Sequence, residues 1–358
     1  MMRLVRTVCL GLAVAAATLF GMSLLPHDRY VRWQAMRTEA YARLGWIYER
    51  IHFDPTPIDI AFVGTSHTMN GVDAAEVSRR VSLATGHCVN AVNLAVPEYG
   101  RSLHWIIARE LLKNRPVKVL VLEVVENESR KPHPLFPYVA DLHDVLTAPI
   151  FINVGYVHDL VRIPFRQLSL GFKSLFPGQF GLKAGFDARN YDGSNVDNTR
   201  IVNVGGVAIT PLRDRVYPRD RLERAAQDAA RQKSLHMLGA KLDAYEYRAP
   251  RYYVDQIVAE AARRGVKVVF LYLPGYGKPA GPIDDSLYRG RGPIVSANDV
   301  LAQPSYWFDP AHLNMFGAAA LTARLGQDFG ALYPRLAGKD SDKPLACPAM
   351  PGRTPHQL

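Results

Sequence analysis

Residues 58–72 read Ile58-Asp59-Ile60-Ala61-Phe62-Val63-Gly64-Thr65-Ser66-His67-Thr68-Met69-Asn70-Gly71-Val72. The run from Ile58 to Val63 is short and apolar and follows Pro55 and Pro57, as expected of a strand buried on both faces of a parallel sheet. Gly64-Thr65-Ser66-His67-Thr68 then makes a tight turn, and Val72 to Ala84 has the spacing of a helix with Asp73 near its start. Strand, turn and helix follow one another without a linker.

The same order recurs downstream. Cys88 to Leu94 is strand-like, Val96 to Gly100 is a loop marked by Pro97 and Gly100, and Ser102 to Lys113 is helical with Ser102 as its candidate N-cap. Val117 to Val125 is a third, nearly all-apolar strand. Regular pattern returns with a helix over Arg251 to Arg264, a stop at Gly265, a strand over Val266 to Leu273 and a last helix over Asn314 to Leu332. Strands alternating with helices predict an α/β fold whose parallel sheet carries helices on both faces, giving three layers. Between them, about residues 128–250, Pro, Gly, Asn and aromatic residues obscure any alternation. So long a stretch exceeds one crossover loop and reads as an insertion, a lid or partner surface, containing a helix from Asp220 to Leu238.

The N-terminus adds a separate element. Arg3 and Arg6 precede an uncharged apolar stretch from Thr7 to Leu25, which Pro26, His27 and Asp28 end. As a helix it is about 28 Å long, roughly a bilayer core. Phe20 to Leu25 stays bulky where a signal peptidase needs small residues, so an uncleaved anchor fits better than a cleaved signal peptide. A six-residue basic N-terminus favours a cytoplasmic start and an exported body, although Arg29, Arg32 and Arg37 at the other end weaken the charge argument. The expected organisation is an anchor over 1–26, a membrane-proximal helix within 27–57 (Tyr30 to Ile51), the main domain over 58–337 and a mobile tail over 338–358. The body would stand outside a single-pass inner (cytoplasmic) membrane, in the periplasm or another extracytoplasmic space.

With 358 residues, 48% of them hydrophobic, the chain can bury one large domain. Its net charge of +10 suits anionic partners such as phospholipid headgroups or acidic polysaccharide, and equally a solvated basic surface. Nucleic acid is not expected: there is no zinc-finger spacing, no basic region before heptads and no RNP-like aromatic run. Of three cysteines, Cys9 lies in the anchor. Cys88 and Cys347 could pair in an oxidising compartment or remain two thiols. No Cys/His cluster has metal-ligand spacing, and no metal or other cofactor is expected.

Ser66 sits just past the carboxyl end of a strand, where open α/β sheets bind ligands. A serine hydroxyl needs a base to become a nucleophile, and Asp309-Pro310-Ala311-His312 offers a histidine with an orienting carboxylate just before the last helix, which Asn314 would cap. Each piece alone has a plainer reading, a turn serine and a cap with a surface histidine; their joint occurrence in this order points to a Ser66–His312–Asp309 triad. His67 and Asn93 are candidate substrate contacts, a solvated loop histidine being the plainer reading of His67. Pro274-Gly275-Tyr276-Gly277 lacks the Lys-Ser/Thr of a phosphate loop and reads as a rim loop. His133 and His143, isolated among prolines, are not expected to be ligands. Arg213, Arg215, Arg219, Arg221 and Arg224 suit an acidic glycan or an ordinary exposed helix face.

These segments resemble the SGNH/GDSL hydrolase superfamily. Phe62-Val63-Gly64-Thr65-Ser66-His67 resembles its first block in a Gly-Thr-Ser form, Asn93-Leu94-Ala95-Val96-Pro97 its second as found in envelope proteins related to alginate O-acetyltransferases, a membrane-anchored branch, and to the D-alanine transfer protein of teichoic acids, and Asp309-x-x-His312-Leu313-Asn314 its last. The resemblance spans residues 58–127 and 250–330 and implies a flavodoxin-like sheet with an acyl-serine chemistry. It also implies an oxyanion hole from Ser66, a second-block glycine and a third-block asparagine. Here Glu98 stands at that glycine's position with Gly100 two residues on, and Asn127 is a candidate match for the asparagine. The implied function is transfer of an acyl group, expected to be acetyl, to an extracytoplasmic polysaccharide, with a multispanning membrane acyltransferase as donor-side partner. An esterase acting on the same polymer, or a non-catalytic subunit of an exopolysaccharide complex, would use the same scaffold.

Overall fold

The structure, a computed structural model, describes residues 2–36, 42–126, 128, 130–199, 202–204, 207–209, 214–231, 240–242, 245, 248–282 and 285–338. Five parallel strands form its sheet: β1 (Ile60–Val63), β2 (Ala91–Asn93), β3 (Val119–Glu123), β4 (Lys267–Tyr272) and β5 (Ile294–Ser296). Their order is 2-1-3-4-5, a doubly wound order. Ile60 is in register with Ala91 on one side and Val119 on the other, Val119 with Lys267, and Phe270 with Ile294.

Because side chains alternate across a strand, each strand feeds two cores. Ala61, Val63, Leu120, Leu122, Val268 and Phe270 face one way, packing with Leu103, Ile107 and Leu111 of one helix and Val254 and Ile257 of another. Ile60, Phe62, Val119, Val121, Val269 and Leu271 face the other, against Val77, Val81, Leu321, Leu325 and Phe329. The covering helices are Ala74–Thr85 and Met315–Ala337 on that second face, Arg101–Asn114 and Arg248–Arg263 on the first. Asp73 caps Ala74–Thr85 by accepting from Glu76 N at 3.1 Å. The fold is therefore α/β, its parallel sheet flanked by helices, as the strand–helix alternation predicts.

Several expectations need correction. The single membrane-proximal helix is two, Arg29–Gln34 and Arg43–His52, folded against each other; the position of a Cβ on Gly45 lies 3.3 Å from Gln34 Cγ. Trp33, Leu44 and Ile47 share one core, so their spacing reports a common buried side and not a continuous helix. Arg101–Asn114 is capped by Gly100 rather than Ser102, whose hydroxyl instead accepts from His133 N at 3.1 Å. β5 has no counterpart in the sequence reading. Within the insertion the main element is a 20-residue helix, Tyr156–Leu175, with an antiparallel hairpin (Val202–Val204, Val207–Ile209) and the helix Arg219–Arg231 after it. The far end of the helix expected to reach Leu238, and the tail after Gly338, lie outside the described residues.

At the N-terminus Met2–Ser23 is a 22-residue helix with no buried residue and an 18-residue stretch of mean hydropathy 1.9, long and apolar enough to cross a membrane. Cys9 is a free thiol, whereas Cys88 is bonded in a disulfide. Cys347, its expected partner, lies outside the described residues.

Candidate active site

β1 ends at Val63, and the chain turns through Gly64 and Thr65 into a short helix, Ser66–Gly71, with Ser66 as its first residue. Thr65 is the N-cap, its hydroxyl accepting from His67 N at 3.2 Å. The sheet order reverses between β2 and β3 around β1, so Ser66 sits at the switch point outside the strands' carboxyl ends.

The second half of the site is a tight loop before Met315–Ala337. Trp307 and Leu313 pair as an isolated bridge, and Phe308 N donates to His312 O at 2.8 Å, which closes the loop on itself. Asn314 caps the helix by accepting from Phe316 N and Gly317 N at 3.1 and 2.9 Å, while its Nδ2 donates to Ser305 O at 2.8 Å. Tyr276 N donates to Pro310 O at 3.0 Å, so the Pro274–Gly277 loop borders the site as expected.

The two halves meet. His312 Nε2 lies 2.8 Å from Ser66 Oγ, and His312 Nδ1 lies 2.9 Å from Asp309 Oδ2 and 3.1 Å from Oδ1. A carboxylate can only accept, so Nδ1 carries the proton and Nε2 is left to accept from the serine hydroxyl. Asp309 Oδ1 also accepts from Ala311 N at 2.7 Å and His312 N at 2.8 Å. Burial alone would raise the Asp309 carboxyl, but the His312 hydrogen bond and charge and the two backbone N–H groups outweigh it and hold the carboxyl below its ordinary value. All three side chains remain partly exposed, so the hydroxyl is reachable from solvent.

Beneath Ser66 lies a group that sequence reasoning did not assign. Glu123, buried at the carboxyl end of β3, accepts from Thr65 N and Thr65 Oγ1, each at 2.7 Å, and from Thr68 Oγ1 at 2.5 Å and Thr68 N at 3.3 Å. A Cβ on Gly64 would collide with Glu123 Oε2 and stand 2.6 Å from Thr68 Oγ1, so only glycine admits this carboxylate so close to the turn. The sequence signal, a glutamate ending an apolar strand, is visible; its partner is not.

His67 is brought to the site. Its Nδ1 donates to Leu273 O at 3.0 Å, and its ring meets that of His312 edge-on at 5.5 Å and that of Tyr99 at 6.2 Å. Burial lowers its pKa, against the opposing charge of Glu123 and with His312 acting in the same direction as burial. It is a packed neighbour of the triad, not a solvated loop residue.

Asn93 is not brought to the site surface. Its Nδ2 donates to Thr68 O and Val72 O, both at 2.9 Å, and its Oδ1 accepts from Ala95 N at 3.1 Å. Buried and fully engaged, it ties the end of β2 to the Ser66–Gly71 helix, which corrects its expected role as a substrate contact. Gly100 is likewise a packing residue: at φ 144°, a Cβ there would collide with the backbone of His133. Glu98, in contrast, has φ 73°, the left-handed conformation that glycine favours and glutamate rarely adopts. Asn127 lies outside the described residues. Among the described residues no group of three or more His, Cys, Asp or Glu side chains could hold a metal ion.

No protein-family model matches the chain, and no curated protein matches it. The functional reading therefore rests on this geometry.

Proposed function

We propose that the chain is a membrane-anchored acyltransferase of the SGNH/GDSL type, transferring an acyl group, in our reading acetyl, to an extracytoplasmic polysaccharide. The observation that carries this reading is His312, hydrogen-bonded to Asp309 through one ring nitrogen and to Ser66 Oγ through the other, at the switch point of a doubly wound sheet. Ser66 Oγ attacks the donor carbonyl as its proton passes to His312 Nε2, and Asp309 stabilises the resulting imidazolium. Collapse of the tetrahedral intermediate returns that proton to the leaving group and leaves an acyl-serine. A sugar hydroxyl, giving its proton to His312 Nε2, then attacks the acyl carbon, and collapse of the second tetrahedral intermediate expels Ser66 Oγ, which takes that proton back.

The developing oxyanion needs donors, each worth about 2.7 to 4 kcal/mol. Ser66 N–H opens a helix and has no acceptor within it. For the second donor we take Glu98 N–H, because Glu98 stands where the resemblance places a glycine and has the left-handed backbone that glycine favours. The same conformation supports the likeness to the second sequence block despite the missing glycine. Met2–Ser23 supplies the anchor in this reading, with the domain on the extracytoplasmic side, and a multispanning membrane acyltransferase is the donor-side partner.

The test uses the full chain in detergent with a chromogenic acetyl ester, with and without oligosaccharide acceptors, beside Ser66→Ala and His312→Ala. Loss of turnover in both variants and acetylated oligosaccharide from the wild type are expected. Release of free acetate alone would make the protein an esterase of the same triad. Wild-type turnover no greater than that of Ser66→Ala, with Ser66 inert to a fluorophosphonate, would leave it a non-catalytic subunit of a polysaccharide complex.

A further inference from the structure

Tyr156–Leu175 is amphipathic in the reverse sense. Toward the protein it turns Asp159, Arg166 and Gln167 beside Ile163 and Leu170. Two of these polar groups are bonded inside: Asp159 accepts from Asn153 Nδ2 at 2.8 Å, and Arg166 Nη1 donates to the carbonyls of Pro137 and Ala140 at 3.0 and 2.7 Å. Outward it turns Val157, Val161, Phe165, Leu168, Phe172 and Leu175, between 38% and 70% exposed. Their spacing of three and four residues makes one continuous stripe along the helix. Large apolar side chains in such a row mark a contact surface.

What covers the stripe is indicated by the neighbour of this helix. The chain leaving Met2–Ser23 is fixed to it: Gln167 Nε2 donates to Ser23 O at 3.4 Å, and Asp28 N donates to Ser174 Oγ at 2.9 Å. The helix that bears the stripe thus packs beside an apolar helix that has no buried residue. With Arg166 and Asp159 buried, the charged side chains this helix keeps part-exposed are Arg162 and Lys173, both cations, the sign that suits anionic lipid headgroups.

We propose that Tyr156–Leu175 lies in the membrane interface beside the point where Met2–Ser23 leaves the bilayer, its outward stripe among the acyl chains. The proposal rests on the reading of Met2–Ser23 as a membrane span. It gives the domain a second attachment to the same leaflet, so that the domain is held against the lipid and does not swing on one tether.

The full chain, reconstituted at one copy per nanodisc with phospholipid bearing a diazirine in its acyl chain, is irradiated and its peptides mapped by mass spectrometry. Adducts are expected on Met2–Ser23 and across 156–176, and none at Leu83, an apolar residue of the Ala74–Thr85 helix that is 73% exposed. Replacing Phe165 and Phe172 together by Asp should lower the yield across 156–176 roughly tenfold and leave Met2–Ser23 labelled. Adducts on Met2–Ser23 without any on 156–176 overturn the proposal and assign the stripe to a protein partner or a second copy. Absence of adducts from Met2–Ser23 itself defeats the membrane-span reading beneath it.

Discussion

Glu123 holds Thr65, the residue in front of Ser66, by both its backbone N–H and its hydroxyl, each at 2.7 Å. The second carboxylate contact, to Thr68, grips the helix that Ser66 opens. The nucleophile's position is thereby set by a strand end on the far side of the turn. Glu123→Gln keeps the shape but turns one oxygen into an NH₂ group facing donors. A loss of stability on the order of 3 kcal/mol is expected, together with slower modification of Ser66 by a fluorophosphonate. Denaturant unfolding and the labelling rate check this; wild-type values for both would show that the carboxylate does not position the turn.

Asn93 provides a contrast between support and contact. Its amide serves Thr68 O, Val72 O and Ala95 N, all backbone. Asn93→Ala should cost about 2 to 3 kcal/mol, because buried carbonyls and an N–H lose their partner, while KM for an acetyl ester stays near wild type among molecules that remain folded. A stable variant with a raised KM would instead return Asn93 to the substrate.

How much of this was legible in the sequence follows from how local each signal is. The apolar run before Gly64-Thr65-Ser66 and the closely spaced Asp309 and His312 are local patterns, and they gave the sheet, the switch point and the partners of Ser66. Glu123 and Thr65 are 58 residues apart, and nothing near either one announces the other. β5 is three half-buried residues at a sheet edge, too short for any periodicity. Tyr156–Leu175 was hidden because Pro164 and Gly171 read as breakers and its apolar stripe faces away from the protein. Glu98 was read as a departure in residue type, whereas the structure keeps the backbone conformation that a glycine would supply.

His133, not expected to be a ligand, sets an acid limit on stability. Burial lowers its pKa to about 4, the Pro97 carbonyl opposing by accepting from Nε2 at 2.9 Å. In the unfolded chain it titrates near 6.5. Between these values the unfolded chain binds a proton that the native protein does not, so stability is full above the unfolded value and falls as pH drops toward 4. The loss amounts to roughly 3 kcal/mol across that window. His104, buried beside Arg101 and lowered well below its ordinary value by that burial first, acts in the same direction. Urea midpoints at about pH 7 and about pH 5 should therefore differ, and His133→Gln, which cannot take up the proton, should narrow the difference. An identical difference in the variant would remove His133 as a cause.

Glu98 allows the conformational argument for the oxyanion donor to be tested directly. A left-handed backbone costs a residue with a Cβ about 1 to 2 kcal/mol, and a β-branched side chain is worse placed there than glutamate. Glycine removes that strain, but the greater freedom of its unfolded chain offsets roughly 0.5 to 1 kcal/mol of the gain. Glu98→Gly should thus be equal to or slightly more stable than the wild type, and Glu98→Val less stable than Glu98→Gly by on the order of 2 kcal/mol. Because the amide direction follows φ, the glycine variant should keep its rate of acyl-serine formation and the valine variant should lose rate with stability. Equal stability in the two variants would mean that the turn does not demand the left-handed conformation. A glycine variant that is stable yet slow would remove Glu98 N–H as the second oxyanion donor.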